Sequence, residues 1–252
     1  MQVCMNRIDG IDDAIISMFL SKRTLTRELE KEIREEVAAA SIKPGEVFPY
    51  KDDIIYPAGT LRLELLSDKL KGWLRTLLKW GTRHITMLRF IDLSFTVYDL
   101  HRGAQDDFDS HAMRLNNRII RSSTRLSDYG AEKSEFYQDN ILTTDDALDI
   151  LGINLPDKID LSGDTYIRAT NGYILEGHEN DKDYKRGLYM LSIPSSFIFR
   201  VQLTEFAHIY KERNKHGTAN PELKDAVEGM AGLLELATCG FVTRELLLSI
   251  QQ

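Results

Sequence analysis

Cysteine is scarce in this 252-residue chain: only Cys4 and Cys239 are present. Two thiols so far apart give no disulfide framework and no metal-ligand spacing. No apolar run approaches the roughly 20 residues needed to span a bilayer. No charged, apolar and small-residue leader pattern opens the chain. A reducing, cytoplasmic location with no membrane partner is therefore expected. Neither common Gly-rich phosphate loop occurs, so a Rossmann or P-loop assignment has no support. Positive charge is also short. Lys and Arg number 32 against 39 Asp and Glu, a net charge of −7. That balance argues against a general nucleic-acid surface. An anionic ligand would have to be held by a local cluster of Arg. No internal repeat, low-complexity tract or clear domain boundary is visible, so residues 1–252 are read as one domain.

Hydrophobic residues make up 42% of the chain and charged residues 28%. This is the composition of a globular protein that can bury one sizeable core, or two small ones, without disulfides. The periodicities predict an α/β order. Ile11, Ile15, Met18 and Phe19 share a helix face over 11–21. Leu29, Ile33 and Val37 recur every four residues over 25–40, where Glu30 can pair with Arg34. Pro44, Gly45, Pro49, Pro57 and Gly59 mark 41–60 as a loop. A helix over 64–80 is built on Leu66, Leu70, Trp73 and Leu77. Ile91, Leu93, Phe95 and Val97 alternate with polar residues in a strand over 90–98. A long helix is expected over 104–126, and a short one over 144–151 ending at Gly152. A surface hairpin is expected from strands near 165–169 and 173–175.

The stretch from Arg186 to Leu223 carries most information. Phe197, Phe199, Val201 and Leu203 alternate with Ser196, Ile198, Arg200 and Gln202, which is a strand. Thr204 is a candidate N-cap for the next helix. On that helix Phe206, Ile209, Tyr210 and Arg213 fall at helical spacing, and Gly217 is its stop signal. Asn220, Pro221 and Glu222 then form a chemically marked helix start.

This segment resembles the C-terminal signature of the flavin-dependent thymidylate synthases. There the family has Asn-x-Arg-x-Leu-x-His-Phe, then Arg, then Ala-Gln-x-Glu-Ile. Here stand Gln202, Thr204, Phe206, His208 and Ile209, then Arg213, then Ala219-Asn220-Pro221-Glu222-Leu223. One residue is inserted between Arg213 and Ala219. Upstream, Leu74–Gly81 resembles the family's amphipathic helix that ends before a His-containing turn, with His84 the nearest His. Phe90–Tyr98 resembles the strand that follows. The family's main signature is Arg-His-Arg, seven residues, then Ser-x-Arg. Ser123-Thr124-Arg125 matches its end. Met113-Arg114-Leu115 keeps only the middle basic position, and Arg121 stands where the family usually has Glu. The resemblance covers the core, 61–252, unevenly. Residues 1–60 are left as a helical N-terminal extension or a divergent start, and 130–180 match weakly.

The resemblance implies a twisted, mostly antiparallel sheet flanked by helices. It implies that reduced FAD and methylenetetrahydrofolate methylate a uridylate nucleotide, dUMP or UMP, at C5, with NADPH regenerating the flavin. Arg213 would be the catalytic group, and would bind substrate with Ser123, Arg125 and Arg186. His84, Arg114, Gln202 and His208 would contact the cofactor. The flavin site would be shared within a homo-oligomer, a tetramer in the family. Cysteine usage agrees with this chemistry. The folate-only thymidylate synthases attack the pyrimidine with a thiolate, and neither Cys4 nor Cys239 has a base or cation beside it in sequence to activate it.

Plainer explanations accompany each residue. Arg186 and Arg213 are otherwise solvated surface cations, and Ser123 and Arg125 a cap and an exposed Arg. His208 is otherwise a satisfied core residue. Arg114, Arg118 and Arg121 form a basic helix stripe, either a remnant of the signature or a solvated or subunit-facing surface. Asp106, Asp107, Asp109 and His111 suggest a metal, but helix-start electrostatics explains the carboxylates more simply. The missing Arg-His-Arg triplet separates the enzyme from a paralogue that binds a nucleotide without the flavin chemistry. A helical interaction protein without a site is a third possibility.

Overall fold

The structure, a computed structural model, describes residues 1–46, 56–110, 118–122, 133, 137, 141–215 and 220–250. Helices alternate with two sheets. The first has strand order β1 (Gln2–Asp9), β2 (Asp92–His101), β7 (Pro194–Gln202), β3 (Arg118–Arg121). The second has order β4 (Lys158–Leu161), β5 (Asp164–Ala169), β6 (Gly172–Leu175). The architecture is that of antiparallel sheets flanked by helices. The chain divides into two compact units that are interleaved in sequence. One holds Tyr98–Asp106 and Arg121–Ser196; the other holds Gln2–Val97, Asp107–Ile120 and Phe197–Gln252.

The larger unit carries the main core. Helix α1 (Ile11–Ser21) buries Ile11, Ala14, Ile15, Ile16 and Met18. Helix α2 (Arg27–Ala40) starts where Thr26 Oγ1 accepts from Leu29 N at 3.2 Å, and it buries Ile33 and Val37. The Glu30–Arg34 pair expected on it forms at 3.2 Å. Helix α3 (Asp68–Gly81) is capped by Ser67 and buries Leu70, Trp73, Leu74 and Leu77. It begins later than the periodicity suggested, because Leu63–Leu65 is a short 3-10 turn and Ser67 supplies the cap. Aromatic residues cement the centre. The Phe95 ring stacks on Phe199 at 5.4 Å and on Phe206 at 5.6 Å, and Phe108 meets Phe199 edge-on at 4.9 Å. Two glycines are obligatory here. A Cβ on Gly10 would lie 2.0 Å from Phe90 O, and one on Gly59 would lie 1.8 Å from Ile8 O. Both also adopt positive φ, which L side chains resist.

Helix α7 (Leu203–Lys215) follows β7 without a loop, and Leu203 N donates to Ile91 O at 2.8 Å. Thr204 is therefore inside the helix rather than its cap, and Leu203 leaves the strand. Helix α8 (Pro221–Ala237) begins as the sequence indicated, with Asn220 Oδ1 accepting from Leu223 N at 3.3 Å and Pro221 in the first turn. It packs on β1 and α7, and α9 (Arg244–Ser249) closes on both helices. Tyr210 on α7 donates to Glu228 on α8 at 3.0 Å, and Arg244 on α9 meets the same Glu228 at 3.1 Å.

In the smaller unit, helix α5 (Thr144–Leu151) has the reciprocal capping box of Thr143 and Asp146 and ends at Gly152. The β4–β5–β6 sheet is the expected surface hairpin extended by one strand, β4. Asp145 ties α5 to it by accepting from Arg168 at 2.9 Å and from Asn171 N at 2.9 Å. Helix α6 (Lys182–Arg186) is a five-residue turn.

The long helix expected over 104–126 is not formed. Helix α4 is described over Arg102–Ser110, and Arg118–Arg121 is strand β3. The adjacent β-branched Ile119 and Ile120 favour a strand. Beyond it, Ser122 N donates to Ser196 O at 2.8 Å, which keeps the chain extended beside β7. Arg118 and Arg121 both lie in β3, so they form no helix stripe. The carboxylates Asp106 and Asp107 lie in the second turn of α4, so the helix dipole does not explain them. Asp106 instead sits between Arg121 at 2.9 Å and Arg102 at 3.6 Å.

Candidate functional site

The run from β7 into α7 places three of the expected residues. Gln202 ends the strand, half-buried, and its Oε1 is buried with no hydrogen-bond partner among the described residues. His208 is half-buried on α7. Arg213 is 5% exposed. Its Nη2 donates to the main-chain carbonyl of Asp107 on α4, and its Nε is buried without a partner among the described residues. Among the described residues no carboxylate forms an ion pair with it. Burial lowers its guanidinium pKa from the ordinary value, against the raising influence of Asp107 and Glu212. The plain alternative for Arg213, a solvated surface cation, is thus excluded.

Helical geometry separates these side chains. At 100° per residue, His208 and Arg213 diverge by about 140° around α7. Arg213 lies on the buried stripe with Phe206, Ile209 and Tyr210, all 3% exposed or less. Gln202 and Arg213 bracket the helix, with Cα atoms roughly 16 Å apart along it.

His84 is exposed and begins the 3-10 helix Ile85–Phe90, which packs on α1, α3 and α7. Its ring lies 5.8 Å from that of Trp80, whose face carries the Lys22 ammonium at 4.0 Å. Arg186 is the last residue of α6, in the smaller unit. Its side chain lies outside the described residues. So do Arg114, Ser123 and Arg125, together with Ala219, Gly217 and His111.

The sequence did not reveal a polar cluster in the smaller unit. Gln105 is fully buried; its Nε2 donates to Leu100 O at 3.1 Å and to Ser195 O at 2.7 Å. Ser195 Oγ donates to Gln105 Oε1 at 3.3 Å and lies 2.9 Å from Ser122 Oγ. His101, 2% exposed, meets Tyr137 through its Nε2 at 3.3 Å. Arg121 joins through Gln105 O at 3.1 Å. Burial, and then Arg102, lower the Arg121 pKa. The only available signal was Arg121 itself, a cation where the resembled family usually has a carboxylate. Cys239 is a poor nucleophile candidate in this setting, because burial pushes its thiol pKa up.

Comparison with solved structures gives the class of this fold. The chain is similar to thymidylate synthase X from Helicobacter pylori, solved with FAD and dUMP, at TM-score 0.56 and 13% identity, covering 98% of this chain and 99% of that one. A second structure of the flavin-dependent enzyme from the same organism, also complexed with FAD and dUMP, gives 0.54 and 12% with full coverage of both chains. The UMP/dUMP methylase PolB from Streptomyces cacaoi gives 0.48 and 12%, covering 99% of this chain and 94% of that one. The fold is that of the flavin-dependent thymidylate synthases over essentially the whole chain. No protein-family model and no curated protein matches the sequence.

Proposed function

We propose that this chain is a flavin-dependent thymidylate synthase-like protein that holds a uridylate nucleotide, dUMP or UMP, beside FAD. The observation that carries the proposal is Arg213. A buried guanidinium without an ion-pair partner costs on the order of several kcal/mol. A phosphate offsets that cost with charge and with a fork that matches the guanidinium. The two structures of this fold solved with FAD and dUMP support a nucleotide phosphate as the occupant.

The residues fit a flavin in one respect. Gln202 Oε1 is a buried acceptor without a donor among the described residues, and the flavin ring carries an N–H. The separation along α7 suits a division of labour, with the cofactor at the Gln202 end and the phosphate at the Arg213 end. The family resemblance adds His84, Arg114 and His208 as cofactor contacts and Ser123, Arg125 and Arg186 as nucleotide contacts. When bound, FAD supplies the hydride, drawn from NADPH, while methylenetetrahydrofolate supplies the carbon. The protein contributes orientation and electrostatics. Arg213 fixes the nucleotide through its phosphate, and the other Arg side chains of the site favour negative charge developing on the pyrimidine as C5 becomes nucleophilic. The cofactor site is shared within a homo-oligomer, a tetramer.

A second function is favoured by one observation. Arg121 takes the place of the usual family carboxylate and is engaged with Asp106. That arrangement, with the reduced Met113-Arg114-Leu115 triplet, suits a paralogue that binds a nucleotide but turns it over weakly or acts on a shifted substrate. One experiment separates the two. Purified protein is titrated with FAD, followed by flavin fluorescence and thermal shift, and then assayed for tritium release from C5-labelled dUMP and UMP with NADPH and methylenetetrahydrofolate. Uptake of FAD with release supports the synthase. Nucleotide binding without release supports the paralogue. A protein that binds neither FAD nor nucleotide overturns both.

A further inference from the structure

The β4–β5–β6 sheet ends on an open edge. Among the described residues β4 has one sheet neighbour, β5. Every residue from 149 to 164 is exposed. Within that run stand Ile150, Leu151, Ile153, Leu155, Ile159 and Leu161, the first two about 70% exposed (71% and 68%). Exposed apolar residues clustered beside an unpaired strand mark an interaction surface, since such edges template pairing with another chain.

The backbone direction of that edge can be derived. Asp157 O accepts from Arg168 N at 2.8 Å, in the register that pairs Lys158 with Ile167 and Ile159 with Tyr166. Antiparallel ladders alternate. The N–H and C=O groups of Ile159 and Leu161 therefore face β5, and those of Lys158 and Asp160 face outward. Side chains alternate too. Lys158 and Asp160 share one face of the strand, and Ile159 and Leu161 share the other.

We propose that β4 is a self-association edge, on which two copies of this chain pair antiparallel about a two-fold axis. Lys158 then stands opposite the partner's Asp160, and Asp160 opposite the partner's Lys158. Each pair exchanges two main-chain hydrogen bonds. Ile159 meets the partner's Ile159 at the axis, with Leu161 diagonal to it. Charge selects this register. A slip of two residues in either direction sets Lys158 against the partner's Lys158, or Asp160 against the partner's Asp160, and like charges directly opposite destabilise a sheet. A slip of one residue mismatches the faces. The edge is thus complementary to its own two-fold copy, which is the requirement for an isologous interface. Lys158 already meets Glu176 at 2.8 Å, with both groups more than half exposed. Such a surface pair is worth little and does not withhold the lysine. This edge lies wholly in the smaller unit and is independent of the flavin and nucleotide assignment.

The test uses the full chain. At the axis Ile159 is a non-hydrogen-bonded pair, where Cα atoms lie about 4.5 Å apart, inside the range a disulfide bridges. Ile159→Cys should cross-link to a covalent dimer under mild oxidation, at least about tenfold faster than Leu142→Cys, an exposed control off the strand. Wild-type protein provides the background from Cys4 and Cys239. In parallel, sedimentation should show Lys158→Glu weakening self-association about tenfold, and Lys158→Glu with Asp160→Lys restoring it. Cross-linking at position 159 no faster than the control overturns the proposal. So does a charge reversal that the double variant fails to rescue while the circular dichroism spectrum is native. The cross-link reads this edge alone, so an oligomer built on another surface does not mimic it.

Discussion

Arg213 on α7 donates through Nη2 to the main-chain carbonyl of Asp107 on α4, and this contact holds a nearly buried cation in place without neutralising it. The carbonyl fixes one edge of the guanidinium. The remaining N–H groups keep their capacity for an anion.

The first prediction follows from that geometry. Arg213→Ala should weaken binding of dUMP and UMP about ten- to a hundredfold, since a charge-assisted hydrogen bond is worth roughly 1.5–3 kcal/mol. Arg213→Lys should fall between, because an ammonium keeps the charge but loses the fork. Isothermal titration alongside thermal melts checks this. Wild-type affinity in both variants at unchanged melting temperature would remove Arg213 from the site.

A second prediction concerns the thiols. Burial raises the Cys239 pKa, and its Sγ lies 2.7 Å from Leu61 O. The Cys4→Ser, Cys239→Ser double variant should keep whatever tritium release the wild type has, within about twofold once corrected for folded fraction. Abolished release in a folded double variant would mean that a thiolate takes part.

Alkaline pH should expose the α7–α8 contact. Burial and then the hydrogen bond to Glu228 push the Tyr210 pKa up to about 12, against about 10 for an unfolded tyrosine. The protonated phenol is favoured in the native state. Its contribution is therefore complete below about pH 10 and is lost as pH rises through 12. Urea midpoints measured from pH 8 to 11.5 should fall less steeply for Tyr210→Phe than for wild type. Parallel curves would show that the phenol is not held protonated.

The start of α5 offers a fourth test. Asp146 is held at a pKa of about 2 by Lys133, at 2.6 Å, and by the Thr143 cap. A depressed carboxylate stabilises above its unfolded value near 4 and stops doing so as pH falls through 2. The helix start should thus persist at pH 4 in wild type. Thr143→Ala removes a cap worth roughly 1 kcal/mol. Amide exchange over residues 144–151 should rise several-fold at neutral pH in that variant. Unchanged protection would show that the capping box does not hold the helix.

Local chemistry was strong enough to fix many elements from sequence alone. The four-residue recurrence of Leu29, Ile33 and Val37 gave α2, and Asn220-Pro221-Glu222 gave the start of α8. The alternation from Phe197 gave β7, because each of these signals depends only on neighbours in the chain. The buried stripe of α7 was legible too, and Arg213 falls on it. Tertiary pairing decided the rest. Gln2–Asp9 lacks a clean alternation and becomes β1 by pairing beside β2 in the sheet and packing under α8. The region after α4 reads as a helix in its polar spacing, yet Arg118–Arg121 is a strand because β7 offers an edge there. No sequence pattern could show that Arg213 lies buried against a backbone carbonyl, with no carboxylate ion pair among the described residues. Burial and partner choice arise when distant segments close around a side chain, and only the folded chain supplies them.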